Sequence, residues 1–440
     1  MNAQIVSKSD SATDDCAAAI ATAKRRLIPL LTLVYVVAWL DRVNVGFAAL
    51  QMNRDLAFSP AVYGLGAGLF FVSYAALEIP SNLVLVRIGA RIWIARIMIS
   101  WGIVTIATLF VTGARGFYVL RLLLGAAEAG CVPGIIFYLS SWFPRAERGR
   151  VLALFAVAVP IASIAGGPIA GLLLSLNGVY GLGGWQWLFL VEGIPAVILG
   201  IVVLRYLPDS PVQATWLEPR ARAALVEALQ RDRGEIDKPG NRPLRDVLSN
   251  PLAWRLGVAQ ALANTGSFGL QFWMPEILKG LSARSDLIVG FVSALPFIPA
   301  AIAMVWIGRH SDRVGERCLH AAVPCFAAAA GFVAAAVLHA PVLAILALTV
   351  AASGIYGRNG PFWSLPTQFL SGTAAAAGIA FINTIGSVGG FAGPYVVGLI
   401  KSASHSYGMA FLFLAVAMSG CGFLLASLRR HRAFAQGAHR

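Results

Sequence analysis

Charge is scarce in this chain. Asp, Glu, Lys and Arg make up only 12% of its 440 residues, against roughly a quarter in an ordinary globular domain. With 58% apolar residues and a mean hydropathy of +0.74, there is too little polar surface to face water all round, which excludes a soluble enzyme. Histidine is scarce too. The six (His310, His320, His339, His405, His431 and His439) stand at the edges of apolar runs or in the tail, which argues against a histidine proton relay inside a membrane. The five cysteines are dispersed: Cys131, Cys325 and Cys421 lie within apolar runs, Cys318 starts one, and Cys16 is in a polar segment. They make small buried hydrophobes rather than a disulfide framework. P-loop, HExxH and Gly-x-Ser-x-Gly patterns are missing, as is any cluster of metal-ligating residues, so no enzyme chemistry, resident metal or organic cofactor is expected. The first 26 residues are polar and partly acidic and do not resemble a cleavable signal peptide.

Long apolar runs are what the chain has. A membrane-spanning helix needs about 20 mostly apolar residues, and twelve such spans can be placed, at 27–50, 61–86, 92–112, 116–141, 150–176, 186–207, 252–278, 286–308, 318–338, 342–366, 374–400 and 405–428. This predicts an all-α integral membrane protein divided into a polar N-terminal tail (1–26), a six-helix bundle (27–207), a solvated linker (208–251), a second six-helix bundle (252–428) and a short tail (429–440). The linker mixes Arg220, Arg222, Arg231, Arg233, Lys238, Arg242 and Arg245 with acids, and a short amphipathic helix is expected around Glu218–Arg231. Lys and Arg concentrate on the cytoplasmic side of membrane proteins. With both termini inside, 26 of the 34 fall on that side, Arg54, Arg115, Lys279, Arg284 and Lys401 lie outside, and Arg42, Arg121 and Arg358 fall within spans. The net charge of +14 is therefore a topology signal in a lipid bilayer. Its dispersal over short loops argues against nucleic-acid binding.

A charge at the bilayer centre costs at least about 2.5–3.5 kcal/mol, so charges embedded in spans point to function. Asp41 and Arg42 sit well inside span 1, Arg121 and Glu128 inside span 4. A separation of seven residues puts Arg121 and Glu128 on one helix face, about 10 Å apart. Opposite chain directions set Asp41 and Arg121 at similar depth. Two acids and two arginines can pair in more than one way. Protonating an acid frees an arginine, whose planar fork can hold a substrate carboxylate through two hydrogen bonds. Asp41 and Glu128 are thus the candidate proton-coupling groups, with Arg42 and Arg121 as candidate carboxylate-binding groups.

The halves repeat a short pattern. Arg87, Gly89 and Arg91 after span 2 recur as Arg313, Gly315 and Arg317 after span 8 at a constant offset of 226 residues, which suggests a duplicated unit. The second copy, with Gly308 and Asp312, resembles the signature loop of the major facilitator superfamily. In the first copy Asn82 replaces the leading Gly and Val86 the acid, which casts doubt on a full charge network there. Leu40-Asp41-Arg42-Val43-Asn44, Glu78-Ile79-Pro80-Ser81-Asn82, Arg121 with Glu128-Ala129-Gly130, the run from Pro133 to Arg148, and Pro361-Phe362-Trp363-Ser364-Leu365-Pro366 together resemble the anion:cation symporter branch, over nearly the whole of 24–428. The resemblance implies two pseudo-symmetric six-helix bundles and proton-coupled uptake of carboxylates, closest to transporters of tartrate and of sugar acids such as galactonate. It also implies that the proton-coupling acids match Asp41 and Glu128, that Tyr74 corresponds to a binding tyrosine, and that the two loops form a conformational switch.

Further polar groups are expected to line a cavity between the bundles: Asn264 in span 7, Asn383 in the Gly-rich stretch of span 11, and Trp363 as a wall. Gln271 is expected closer to the outer face. Glu78 and Glu192 are expected as pairing residues near helix ends, and Gly167-Pro168 with Gly171 as close packing at a kink. Arg358 in span 10 faces either the cavity or the inner helix end; in the cavity it would supply a second carboxylate partner. The expectation is a monomeric bacterial inner-membrane carrier of a small hydroxylated organic anion, coupled to protons. Uptake of an aromatic carboxylate, proton-exchange efflux of an amphipathic compound and a non-transporting solute receptor are the alternatives.

Overall fold

The computed structural model describes residues 2–234, 243–282, 285–338, 340–370 and 372–431. Lys238, Arg242, Arg284, His339, His439 and most of the expected C-terminal tail lie outside them. The described residues fold as twelve long helices: α1 (Asn2–Asp55), α2 (Pro60–Ile88), α3 (Ala90–Phe110), α4 (Ala114–Trp142), α5 (Arg145–Leu174), α6 (Gly184–Tyr206), α7 (Pro251–Ser282), α8 (Asp286–Val314), α9 (Cys318–Val337), α10 (Pro341–Gln368), α11 (Gly372–Ser404) and α12 (Gly408–Leu428). Eleven are long and apolar enough to cross a membrane. The other, α7, is long enough but more polar, because it carries Gln260, Asn264, Thr265, Ser267 and Gln271. Three of these five are at least nine-tenths buried, so the polarity faces protein. The outer surface presents large apolar side chains such as Leu83, Phe110, Ile302, Val416 and Phe423, each at least 60% exposed. That is the surface a helical protein offers to lipid, which cannot satisfy polar groups.

Glycine sets how closely helices approach. A Cβ on Gly125 of α4 would lie 2.1 Å from the Phe70 carbonyl oxygen of α2, and one on Gly66 would strike the Phe117 ring, so α2 and α4 meet almost backbone to backbone. Between the halves, a Cβ on Gly167 would lie 2.3 Å from the Gly290 oxygen, and one on Gly64 2.6 Å from the Pro394 oxygen. The Gly167-Pro168/Gly171 segment thus packs tightly against α8. With the end carrying the linker called the terminal end and the opposite end the far end, the halves meet at the far end. There Gln51 Nε2 donates to Asp286 Oδ2 (2.8 Å), the Ala61 N–H to Ser402 Oγ (3.0 Å) and Tyr63 Oη to the Phe272 carbonyl (2.8 Å).

Residues 14–26 are not a free tail. The helix of α1 begins at Asn2, Ala19 and Ala23 are fully buried, and this extension packs against a linker helix, Pro219–Gly234. Leu225 and Leu229 of that helix are buried in the same core. This is the amphipathic helix expected around Glu218–Arg231, and its apolar stripe is docked on α1 rather than solvated.

Candidate functional site

Adjacent residues on a helix point about 100° apart, and α1 uses this to send Asp41 and Arg42 into different surroundings. Arg42 Nη2 pairs with Glu128 Oε2 of α4 at 2.7 Å. Its guanidinium carbon stands 5.2 Å from the Phe70 ring and 5.0 Å from the Tyr74 ring of α2, so two aromatic faces orient the fork. Glu128 is 1% exposed, and its Oε1 has no hydrogen-bond partner. It ends the first segment of α4: Gly130 follows with φ +85° and the helix restarts at Cys131. Pro133 lacks the N–H that would bond back across the break.

Asp41 is fully buried and has no arginine on it. Its Oδ1 accepts from Asn44 Nδ2 (3.1 Å) and its Oδ2 from Thr105 Oγ1 of α3 (3.0 Å). Arg121 does not close onto it either. Its Nε and Nη2 donate at 3.4 Å to the Gly66 and Ala67 carbonyls of α2, and its Nη1 has no hydrogen-bond partner. The expected quartet is therefore gathered in one place: Arg42 pairs with Glu128, Asp41 lies beside the Glu128 carboxyl with Asn44 and Thr105 on its own oxygens, and Arg121 rests on backbone carbonyls.

Asn383 meets Glu78 across the halves. Its Nδ2 donates to Glu78 Oε1 at 2.7 Å, and Thr384 Oγ1 donates to Oε2 at 3.3 Å. Glu78 is 1% exposed, which corrects its expected place at a helix end: α2 runs ten residues further, to Ile88. Its spacing of four from Tyr74 puts both on one face and was the available signal. Glu192 needs the same correction, being buried in α6 beside Asp41 and Asn44. Asn264 Nδ2 donates to the Gly386 carbonyl (2.9 Å) while its Oδ1 accepts from Gln260 (3.1 Å), an interhelical bond within the second half. Trp363 is half-buried, edge-on to Phe362. Gln271 is buried and lines a small pocket with Val43, Ser163 and Ser293.

Arg358 is 3% exposed, bonded to Gln260 Oε1 (2.9 Å) and Asn359 Oδ1 (3.3 Å) and 4.4 Å from the Phe362 ring. These contacts all belong to the second half, so in this conformation it is an interior cation of that half rather than a cavity wall. The buried amide of Gln260, which the sequence did not single out, holds it there.

The two loops are built alike. Gly89 (φ +102°) and Gly315 (φ +74°) end α2 and α8 in the left-handed region, where glycine is favoured. In the second copy Arg317 binds Asp312 and, at 3.2 Å, Ser311 Oγ. In the first, the carboxylate missing at Val86 is supplied from beyond α6: the Arg91 N–H donates to Asp209 Oδ1 at 2.9 Å and Arg91 Nε lies 3.6 Å from Oδ2. A charge network exists at both copies. Beside Arg317, burial works against the Glu316 carboxylate, but N–H groups of Leu319 and His320 hold its pKa below the usual range. A Cβ on Gly308 would meet nothing within 4 Å, and Arg313 and Arg87 are exposed.

Comparison with known proteins agrees with this architecture. The family model described as "Major Facilitator Superfamily" matches residues 31–394. A protein of Agrobacterium vitis named "Putative tartrate transporter" is 49% identical over 395 residues, covering 89% of this chain and 86% of its own. The "Quinolone resistance transporter" of Acinetobacter baumannii is 38% identical, covering 91% and 92%. Among solved structures, a bacterial homolog of the human lysosomal transporter Spinster, inward-facing and unoccupied, superposes with a TM-score of 0.75 at 18% identity, covering 94% of this chain and 98% of its own. A family match over most of its length, together with relatives of similar extent, places the chain in the major facilitator superfamily: a twelve-helix, multi-pass membrane transporter and not an enzyme.

Proposed function

We propose that the protein imports a hydroxylated organic anion, a tartrate-like dicarboxylate or a sugar acid such as an aldonate or aldarate, together with protons. The two bundles alternate access to a site between them, in a bacterial inner membrane with both termini cytoplasmic. The observation that carries this is the Arg42–Glu128 pair beside an arginine-free Asp41. A carboxylate substrate competes with Glu128 for the fork of Arg42, and Glu128 gives up the pair at low cost only when it takes a proton. Binding of anion and proton are thereby linked. Asp41 is the second proton site and Arg121, with one free Nη1, the second candidate for the anion. Tyr74 and Asn383 flank the pair and the bundle interface, where they can meet substrate hydroxyls.

The name of the Agrobacterium relative supports an organic anion, and the lysine and arginine bias supports the orientation. The name of the Acinetobacter relative favours a second reading, efflux of an amphipathic compound by proton exchange, which Arg42 and Arg121 oppose only for a cargo without an anionic group. Proteoliposome uptake tests both. An inward proton gradient is expected to drive accumulation of tartrate or an aldonate in the parent and in neither Asp41→Asn nor Glu128→Gln. Gradient-driven uptake persisting in both variants would remove the coupling. A thermal-shift screen against tartrate, aldonates, aldarates and aromatic acids then ranks the substrate, with stabilisation of several degrees expected at saturating ligand.

A further inference from the structure

A hydroxylated anion carries neutral polar groups as well as a carboxylate, and a chain of neutral donors and acceptors stands close to Arg42. Trp39 Nε1 of α1 donates to Ser163 Oγ of α5 at 3.1 Å, and Ser163 Oγ shares a second hydrogen bond, of 3.0 Å, with Tyr356 Oη of α10. Ser163 and Tyr356 are both buried, and the bond between them crosses from one half to the other. Trp39 stands three residues before Arg42, so the two share a face of α1 about one turn apart. Counted from the far end of its own helix at 1.5 Å per residue, each of Arg42, Trp39, Ser163 and Tyr356 lies about 16–24 Å in. The chain is therefore at mid-depth, level with the ion pair.

Ser163 also lines the small pocket described above, and both halves build that pocket. Val43 of α1, next to Arg42, comes from the first half; Gln271 of α7 and Ser293 and Phe297 of α8 come from the second. Phe297 meets the Tyr356 ring edge-on, with centroids 5.8 Å apart. No residue lining the pocket is charged, so a carboxylate finds no counter-charge there. A hydroxyl, which both donates and accepts, does find partners. Gln271 Nε2 is spent on Ser267 Oγ (2.8 Å) and Ser293 Oγ on the Val289 carbonyl (2.7 Å), each within its own helix. The Ser163–Tyr356 bond differs, because moving α5 and α10 apart breaks it. Each hydroxyl is then short of a partner, which a cargo hydroxyl can supply.

We propose that Ser163 and Tyr356, with Trp39 orienting Ser163, form the subsite that reads a hydroxyl of the cargo while Arg42 holds its carboxylate. The proposal deepens the organic-anion reading above and rests on it. The cargo hydroxyl takes the place of the Ser163–Tyr356 bond, accepting from one side chain and donating to the other. An acid without hydroxyls separates the two side chains and returns no hydrogen bond, so the site discriminates against it. Ser163 and Tyr356 thus set which anion is carried. A contact that merely holds the halves together is indifferent to hydroxyls on the cargo.

The test is competition against uptake of labelled cargo in proteoliposomes. Tartrate is compared with succinate, its counterpart without hydroxyls, or gluconate with 2,3-dideoxygluconate if an aldonate is the cargo. The parent is expected to need at least about tenfold more of the deoxygenated acid for half-inhibition. In Ser163→Ala and in Tyr356→Phe the hydroxylated acid is expected to weaken about tenfold and the deoxygenated acid by less than about twofold, so the preference collapses. A structural contact weakens both acids alike or lowers the melting temperature alone. A preference that stays at the parent's value in the variants therefore overturns the proposal, as does a parent with no preference. Should Tyr356→Phe not accumulate as folded protein, Ser163→Ala decides alone by the same ratio. A parent that takes up neither tartrate nor an aldonate sinks the organic-anion reading and this subsite with it. That outcome is separate from a parent that prefers the hydroxylated acid and variants that keep its preference.

Discussion

Arg42→Ala is expected to abolish uptake, by about a hundredfold or more, and to lower the melting temperature as well. The two losses have different causes. The charge-assisted, two-pronged hydrogen bonding of a guanidinium to a carboxylate is among the stronger polar contacts a protein can offer a substrate, on the order of 1.5–3 kcal/mol per bond to a charged group. Arg42 is also the arginine whose fork two aromatic rings hold in place. The stability loss comes from what is left behind. Glu128, 1% exposed, loses its ion-pair partner, and removing one member of a buried pair costs about 3–5 kcal/mol. Adding Glu128→Gln to Arg42→Ala therefore restores much of the melting temperature, since a neutral amide is cheaper to bury than an orphan carboxylate, but does not restore transport. Arg42→Lys keeps the charge and loses the fork and the ring stacking, so its substrate affinity falls roughly tenfold or more while its stability stays near the parent's. The readouts are uptake rate, substrate-induced thermal shift and apo melting temperature for the four proteins. Parental uptake by Arg42→Ala, or no recovery of stability in the double variant, would show that this pair is not the anchor.

The twelve spans and their grouping were legible because hydropathy over twenty residues is a strong, local signal. Even α7 could be placed, although buried amides weaken its pattern. The intramembrane quartet was legible for the same reason, since a charge inside an apolar run stands out. Its pairing was not. Whether Arg42 takes Glu128 or Arg121 takes Asp41 depends on helix rotations, and these are fixed by contacts such as Gly125 on Phe70 and Gly66 on Phe117, which a linear pattern does not carry. Glu78 and Glu192 were placed near helix ends although the spans themselves, 61–86 and 186–207, nearly match Pro60–Ile88 and Gly184–Tyr206; what a linear pattern does not carry is how deeply neighbouring helices bury each side chain. Glu192 lies eight residues inside the start of α6 at Gly184, about 12 Å in at 1.5 Å per residue, and Glu78 is deeper still. Asp209 was invisible as a member of the first loop because it comes from 118 residues away. The direction of Arg358 depends in part on the amide of Gln260, 98 residues away, that nothing in the sequence ties to it.

Two glycine-to-alanine changes that each drive a Cβ into a backbone oxygen are expected to fail in opposite ways, and the contrast tests whether the halves move against each other. A Cβ on Gly389 of α11 would sit 1.8 Å from the Ala261 carbonyl oxygen of α7, and one on Gly290 of α8 would sit 2.4 Å from the Gly167 oxygen of α5. Gly389 and Ala261 belong to the same half, in contact whatever the halves do, so Gly389→Ala strains every conformer. Overpacking of this kind costs about 1–3 kcal/mol or more, and the expected result is poor accumulation and a lowered melting temperature. Gly290 and Gly167 belong to different halves and touch at the far end, together with the Gln51–Asp286 hydrogen bond. Gly290→Ala therefore strains only conformers closed at that end. The same 1–3 kcal/mol appears there as a population shift of roughly ten- to a hundredfold towards far-end-open molecules, with the melting temperature little changed. Spin labels on cysteines placed at Val179 and Ser406, exposed far-end positions on opposite halves, in a background without the native cysteines, are expected to report a longer distance in Gly290→Ala than in the parent. Net uptake should fall about tenfold, because one limb of the cycle is now uphill. If the two variants lose stability alike and the label distance does not lengthen, the α5–α8 contact is a static seam like the α7–α11 one, and the far end does not open.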